Sequence, residues 1–266
     1  MQTLLSEARL YGQYIKIHLL SGLEYKGWWM MFLQVMFVVV AEPVAIVFMF
    51  NRFGNIGDWT VERILLIYAI AVASFGLAES FCRGFDYFPW HMVREGNFDR
   101  VLLRPKSLFT QVAASAFHIH RLARALTGLG IILWACSRLG IGFSLYNVAM
   151  LVFAMLGGLL MYAGVFVMSS GISVFTIGAL DWIYIFTNAS YETTRIPVDH
   201  MPRALRNMFT FFMPMLVISY FPASVMGGWG GAAWRGWLAL PAGAVFLAAS
   251  MVVWRIGVRH YRSVGS

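Results

Sequence analysis

Apolar residues run in long blocks along this chain, and polar residues gather in the gaps between them. The first block covers 28–50 and the second 61–81, each near the ~20 residues that cross a bilayer as helix. The Gly/Asn/Asp-rich turn 51–58 between them is short enough to force an antiparallel pair. A third helix is predicted to begin amphipathic at Leu108, carry Arg121 and Arg124, and become fully apolar as far as Ala135. A fourth span covers 147–169, with Gly157-Gly158 suited to close helix contact. The fifth, 178–196, is short and polar, and the last covers 237–254. Ahead of them all, Leu4, Ala8, Tyr11, Ile15 and Leu19 recur at helical spacing. Segment 4–25 is too polar to span and amphipathic enough to lie along the membrane surface, with Trp28 and Trp29 at the boundary.

Segments of about ten residues with alternating polarity, the mark of a transmembrane β-barrel, do not occur. The fold class is therefore all-α: a polytopic helical membrane protein of six transmembrane helices, forming one domain over 1–266. Composition agrees, since 60% of residues are hydrophobic and 12% charged, about half the charged fraction of soluble domains. The net charge of +8 does not call for nucleic acid; in such a chain basic loops mark the cytoplasmic side. Segment 82–124 holds Arg83, Arg94, Arg100, Arg104, Lys106, Arg121 and Arg124, and both termini are basic too. Six spans put these regions on one face, so both termini and the loop 82–110 are expected to be cytoplasmic.

The densest run of charge lies inside that loop, from Arg94 to Pro105. Arg94, Glu95, Asp99, Arg100 and Arg104 supply charge, while Phe98, Leu102 and Leu103 supply an apolar face at helical spacing. Gly96 lets the backbone turn, and Pro105 stops the helix. No Gly-x-x-x-x-Gly-Lys-Ser/Thr sequence exists, and the only lysines are Lys16, Lys26 and Lys106. The chain thus carries no phosphate cradle of its own. A membrane body with one large charged loop and no energy source points to a docking surface for a separate motor.

The order of parts resembles an ABC-2 type transporter permease of a bacterial exporter branch. The resemblance rests on Gly96-x-Phe98-Asp99-x-x-Leu102-x-Arg104-Pro105, on the proline-punctuated segment from Ile196-Pro197 through Pro214 to Tyr220-Phe221-Pro222-Ala223, and on Arg259-His260-Tyr261-Arg262-Ser263. It implies an ATP-driven exporter in which a permease dimer, homomeric or heteromeric, binds two ABC ATPase subunits. ATP and Mg would sit on those partners, leaving no cofactor in this chain. It also implies a bacterial cytoplasmic (inner) membrane location, coupling through the 94–105 loop, and short external helices that close the exit. The region 188–226 is expected to form those re-entrant helices.

Two intramembrane features bear on the path. Glu42, beside Pro43 in the first span, costs about 2.5–3.5 kcal/mol at the bilayer centre, so it faces either a dimer cavity or a neighbouring helix. Glu79 reads as an ordinary anchor at the end of its helix. In the fifth span Asp181, Asn188, Glu192, Thr193, Thr194 and Arg195 crowd together before Pro197 and Pro202. Such a segment is tolerated only where protein or water covers it. Glu192 and Arg195 are three apart and suited to pair. His118 and His120, two apart on a helix, would point to different sides, against a metal site. The few interior charges point to a small apolar or amphiphilic substrate. A membrane-embedded lipid-modifying enzyme would need His, Asp, Glu or Ser converging at one depth. A non-transporting anchor for a soluble complex is the remaining alternative.

Overall fold

From Ile64 to Ala78 every face of the helix Val61–Phe81 is apolar or small, and a helix of that kind has to be surrounded. A computed structural model of the protein describes residues 2–24, 26–176 and 192–261, and this helix stands almost wholly buried at its centre. In chain order the described helices are α1 (Gln2–Glu24), α2 (Trp28–Phe53), α3 (Val61–Phe81), α4 (Arg83–Tyr87), α5 (Phe98–Leu102), α6 (Leu108–Ala114), α7 (Leu122–Leu139), α8 (Leu145–Thr176), α9 (Arg203–Asn207), α10 (Met215–Ile218), α11 (Tyr220–Met226) and α12 (Ala239–His260). A π-helical turn, Phe88–Arg94, links α4 to the charged segment, and short 3-10 turns precede α7, α9 and α12. No strand occurs among the described residues.

Small residues set how closely the helices approach. A side chain at Gly76 would lie 2.6 Å from the Ala125 amide nitrogen, and one at Gly128 would lie 2.9 Å from that of Ala73. As α3 numbers rise, α7 numbers fall, so this pair is antiparallel. Helices α8 and α12 touch backbone to backbone at Gly157 with Gly243 and at Gly171 with Gly257. Here both numbers rise together, so the two run parallel, which requires a long connection between them. Replacing Gly171 with Ala would set a methyl 2.8 Å from the Trp254 backbone nitrogen. Overpacking of this kind costs about 1–3 kcal/mol, and the expected outcome is a lower melting temperature of the purified protein. The serine hydroxyls inside α3 satisfy themselves by donating to carbonyls one turn back, Ser74 to Ile70 at 2.7 Å and Ser80 to Gly76 at 2.8 Å.

Among the described residues five helices are long and apolar enough to cross a membrane, and a sixth span arises if the bent pair Arg203–Phe212 and Met215–Met226 counts as one. That pair turns by 70° within the predicted re-entrant region 188–226. The expected fifth span, 178–196, falls largely outside the described residues.

Three expectations need correction. The third helix does not run unbroken from Leu108: α6 ends at Ala114, the next residue Ser115 donates its hydroxyl back to the Val112 carbonyl at 2.8 Å, and α7 starts at Leu122. His118 consequently adopts extended backbone, and its ring meets that of His120 at 5.3 Å rather than pointing away. The fourth span continues to Thr176, past its expected end, because Gly171 keeps it against α12.

Tyr11 donates to the Phe81 carbonyl at 2.5 Å and the Arg104 guanidinium to the Tyr14 hydroxyl at 3.2 Å. The C-terminal end of α12 meets the same region through Trp254 and Tyr261. One end of the bundle therefore gathers α1, segment 83–114 and the end of α12. The opposite end gathers Trp59, Asp199 and Tyr220.

Candidate functional site

The charged segment at the first end is built outward from an aromatic anchor. Gly96 takes φ +70°, a left-handed turn, and redirects the chain after the π-helical stretch. Phe98 then enters fully buried at the start of α5, where its ring lies 5.0 Å from Phe88, 6.5 Å from Trp254 and 4.9 Å from Tyr261. Two of the three motifs singled out in the sequence, Gly96 to Pro105 and Arg259 to Ser263, thus meet in space through Phe98 and Tyr261. Burial first, then the neighbouring Asp99 carboxylate, pushes the Tyr261 hydroxyl above its ordinary pKa.

Leu102 and Leu103 do not share the face of Phe98. Helix α5 is five residues long and ends at Leu102, so the helical period is lost there and both leucines turn outward. Leu103 is 86% exposed. Around it Arg94, Glu95, Arg100, Arg104 and Pro105 are exposed as well, and Asp99 is half-buried. Arg94 stacks on Trp90 at 4.8 Å, and Glu95 faces His91 at 3.3 Å. The outcome is a mixed-charge surface with an apolar tip on a rigid base.

Behind that surface lies a cluster that the sequence reading missed. Glu79 is 2% exposed and is no ordinary anchor: it pairs with Arg83, with Arg121 at 3.3 Å and with Arg124 at 3.3 Å. Arg83 also reaches Asp86 at 3.1 Å, and Arg124 lies over the Phe75 ring at 4.8 Å. The i,i+4 spacing of Glu79 and Arg83 and the i,i+3 spacing of Arg121 and Arg124 were the available signals. One carboxylate therefore ties α3, α4 and the start of α7 together.

The second polar site lies deeper. Glu42 stands near the middle of α2, accepts a hydrogen bond from the Tyr68 hydroxyl of α3, and pairs with Arg195 at 2.6 Å. Arg195 also pairs with Glu192 at 2.8 Å and lies over the Tyr68 ring at 5.3 Å. The Tyr68 bond ties Glu42 to the neighbouring helix α3. The chain then climbs to the far end, where Asp199 accepts from the Trp59 indole at 3.1 Å. Pro197 and Pro202 do not interrupt helices; each stands immediately before one, with φ of −52°. Proline fits there because its missing N–H is unneeded at a helix start. Residues 192–202 therefore form short turns, not one continuous helix. Asn188 lies outside the described residues.

A family model described as ABC-2 family transporter protein matches residues 36–265. The chain belongs to that family. This ABC-2 protein is thus a transporter's membrane subunit rather than a catalytic one, and membership implies association with an ABC ATPase. The match runs from within α2 to beyond the end of α12 and omits α1, so both polar sites lie within it. Neither a curated protein nor a solved structure matches the chain.

Proposed function

We propose that this protein is the permease of an ATP-driven exporter, and that the surface 94–105 receives a separate ATPase. The observation that carries the reading is the contrast between Phe98 and Leu103. The first is locked among Phe88, Trp254 and Tyr261, whereas the second projects beside Arg100 and Arg104. A push on the exposed tip has a stiff path into α3 through Glu79 and into α12 through Trp254. In this reading the basic end faces the cytoplasm, as basic loops favour, with both termini there, and the membrane is the bacterial inner one.

In this reading two permease chains, alike or related, form a dimer. A small apolar or amphiphilic substrate passes along their interface. The ATPase partners hold the ATP and Mg. The set Glu42, Glu192 and Arg195, with Pro197 and Pro202 starting the turns above it, forms the gate toward the outer face. A membrane-embedded pair of this kind opens only if both charges stay covered by protein or water.

The test is Leu103→Glu in the full chain, combined with its purified ATPase. A truncated interface hot spot costs about 2 kcal/mol or more, so ATPase affinity should fall by roughly thirtyfold or more. The melting temperature should not change, because the Leu103 side chain is exposed. If the variant binds the ATPase and stimulates its turnover like the wild type, segment 94–105 is not the coupling surface.

A further inference from the structure

A wide open groove lies away from both polar sites. It holds about 890 Å³ between α12, the bent segment 210–221 and Met168 of α8. That volume lies in the upper part of the ~300–1,000 Å³ range of ligand pockets. Its floor is Leu238 with one stripe of α12, Pro241, Ala242, Val245, Ala249 and Val253, which no helix covers among the described residues. The two faces of segment 214–226 separate it from the gate: Tyr220 packs on Trp59, while the adjacent Phe221 lines the groove.

The groove's polarity is lopsided. Thr210 and Ser250 line it, but both hydroxyls donate to carbonyls of their own helical turns, Arg206 at 2.7 Å and Phe246 at 2.9 Å. Arg235 is different. It is exposed at the far end of the groove beside Trp234, with its guanidinium 6.0 Å from the Phe221 ring centre. No carboxylate among the described residues pairs with it. From Leu238 to Ala249 the helix rises about 16 Å, at ~1.5 Å per residue. That is half of the ~30 Å hydrocarbon core, the depth of one leaflet.

We infer that this groove binds an anionic phospholipid, with one acyl chain along α12 and the phosphate on Arg235. An apolar wall one leaflet deep, ending in a single unpaired cation at a tryptophan-marked boundary, matches that amphiphile. A soluble anion would gain nothing from the wall, and a zwitterionic lipid brings its own cation to Arg235. A second copy of the chain fits less well. Helix α2 offers another broad exposed apolar face, but its one acid, Glu42, is already held by Arg195. The inference stands independently of the export reading, since it concerns a different face of the molecule.

The full-length protein, reconstituted in discs of equal phosphatidylglycerol and phosphatidylcholine, tests it by native mass spectrometry of the lipids retained after extraction. The wild type should retain phosphatidylglycerol about tenfold over phosphatidylcholine, the scale of one charge-assisted hydrogen bond. Arg235→Gln should abolish that preference and Arg235→Lys should keep part of it, with melting temperatures unchanged. Val245→Trp, which fills the groove, should reduce retention of either lipid. Equal retention by the wild type, or an undiminished preference in Arg235→Gln, overturns the inference. So does efficient disulfide crosslinking of a Val245→Cys variant to a second copy, which would give the groove to a subunit contact.

Discussion

Glu79→Gln is expected to be among the most damaging single substitutions in this protein. The exchange is nearly isosteric, yet it leaves the guanidiniums of Arg83, Arg121 and Arg124 around a buried neutral amide. Asp86 then remains as the carboxylate paired with Arg83. Removing one partner of a buried ion pair costs about 3–5 kcal/mol, because the surviving charge stays desolvated and unmatched. Here one carboxylate serves three cations, so the upper part of that range applies. The measurement is the yield of folded protein and its melting temperature, both of which should fall sharply. Arg121→Leu should be milder, since it removes one cation from a cluster with cations to spare. A Glu79→Gln protein that melts with the wild type would show that the cluster does not hold α3, α4 and α7 together.

The second large effect concerns Glu42 and Arg195. Glu42→Gln leaves Arg195 with Glu192 as its one carboxylate, and Arg195→Gln leaves Glu42 and Glu192 without a cation; each should lower both stability and transport, the second more than the first. The double neutral variant removes both charges of this contact and leaves only Glu192 without its cation, so its loss should be smaller than the sum of the singles. Contacting charged pairs show coupling energies of about 0.5–3 kcal/mol. This pair is only about a quarter exposed, with 25% and 24% for the two side chains, which favours the upper half of that range. A double-mutant cycle on melting temperature, with transport measured alongside, reads the coupling. Strictly additive losses would mean that the two residues act separately and that no gate rests on their pairing.

The long apolar blocks were legible because hydrophobic burial is written residue by residue, and α2, α3, α8 and α12 all fall where those blocks lie. Breaks within a helix were harder to read. Nothing at 115–118 is glycine or proline, so the interruption between α6 and α7 carries no local mark; it arises from how α7 meets Glu79. The same reason hid Glu79 itself, whose significance depends on Arg121 and Arg124, some 42–45 residues away in the chain. The Glu192–Arg195 pair was readable because its spacing is local. Its third member, Glu42, was recognised as costly, but its partner could be found only in space. Leu102 and Leu103 were misplaced because helical spacing was extended past a helix that ends at Leu102.

The shared glycine seam of α8 and α12 has a mechanical consequence. Two helices joined backbone to backbone at both Gly157 and Gly171 have little room to slide or pivot against each other, so they behave as a single strut. Trp254 fixes the lower end of that strut to Phe85, Phe88 and Phe98, whereas Trp237 at its upper end lies against Tyr146 and Phe153. A displacement imposed at Phe98 is therefore delivered across the full thickness of the bundle with little lost to bending. The compliant part of the molecule must lie elsewhere, on the side of α2, whose sparse packing leaves it free to yield while the strut keeps its length.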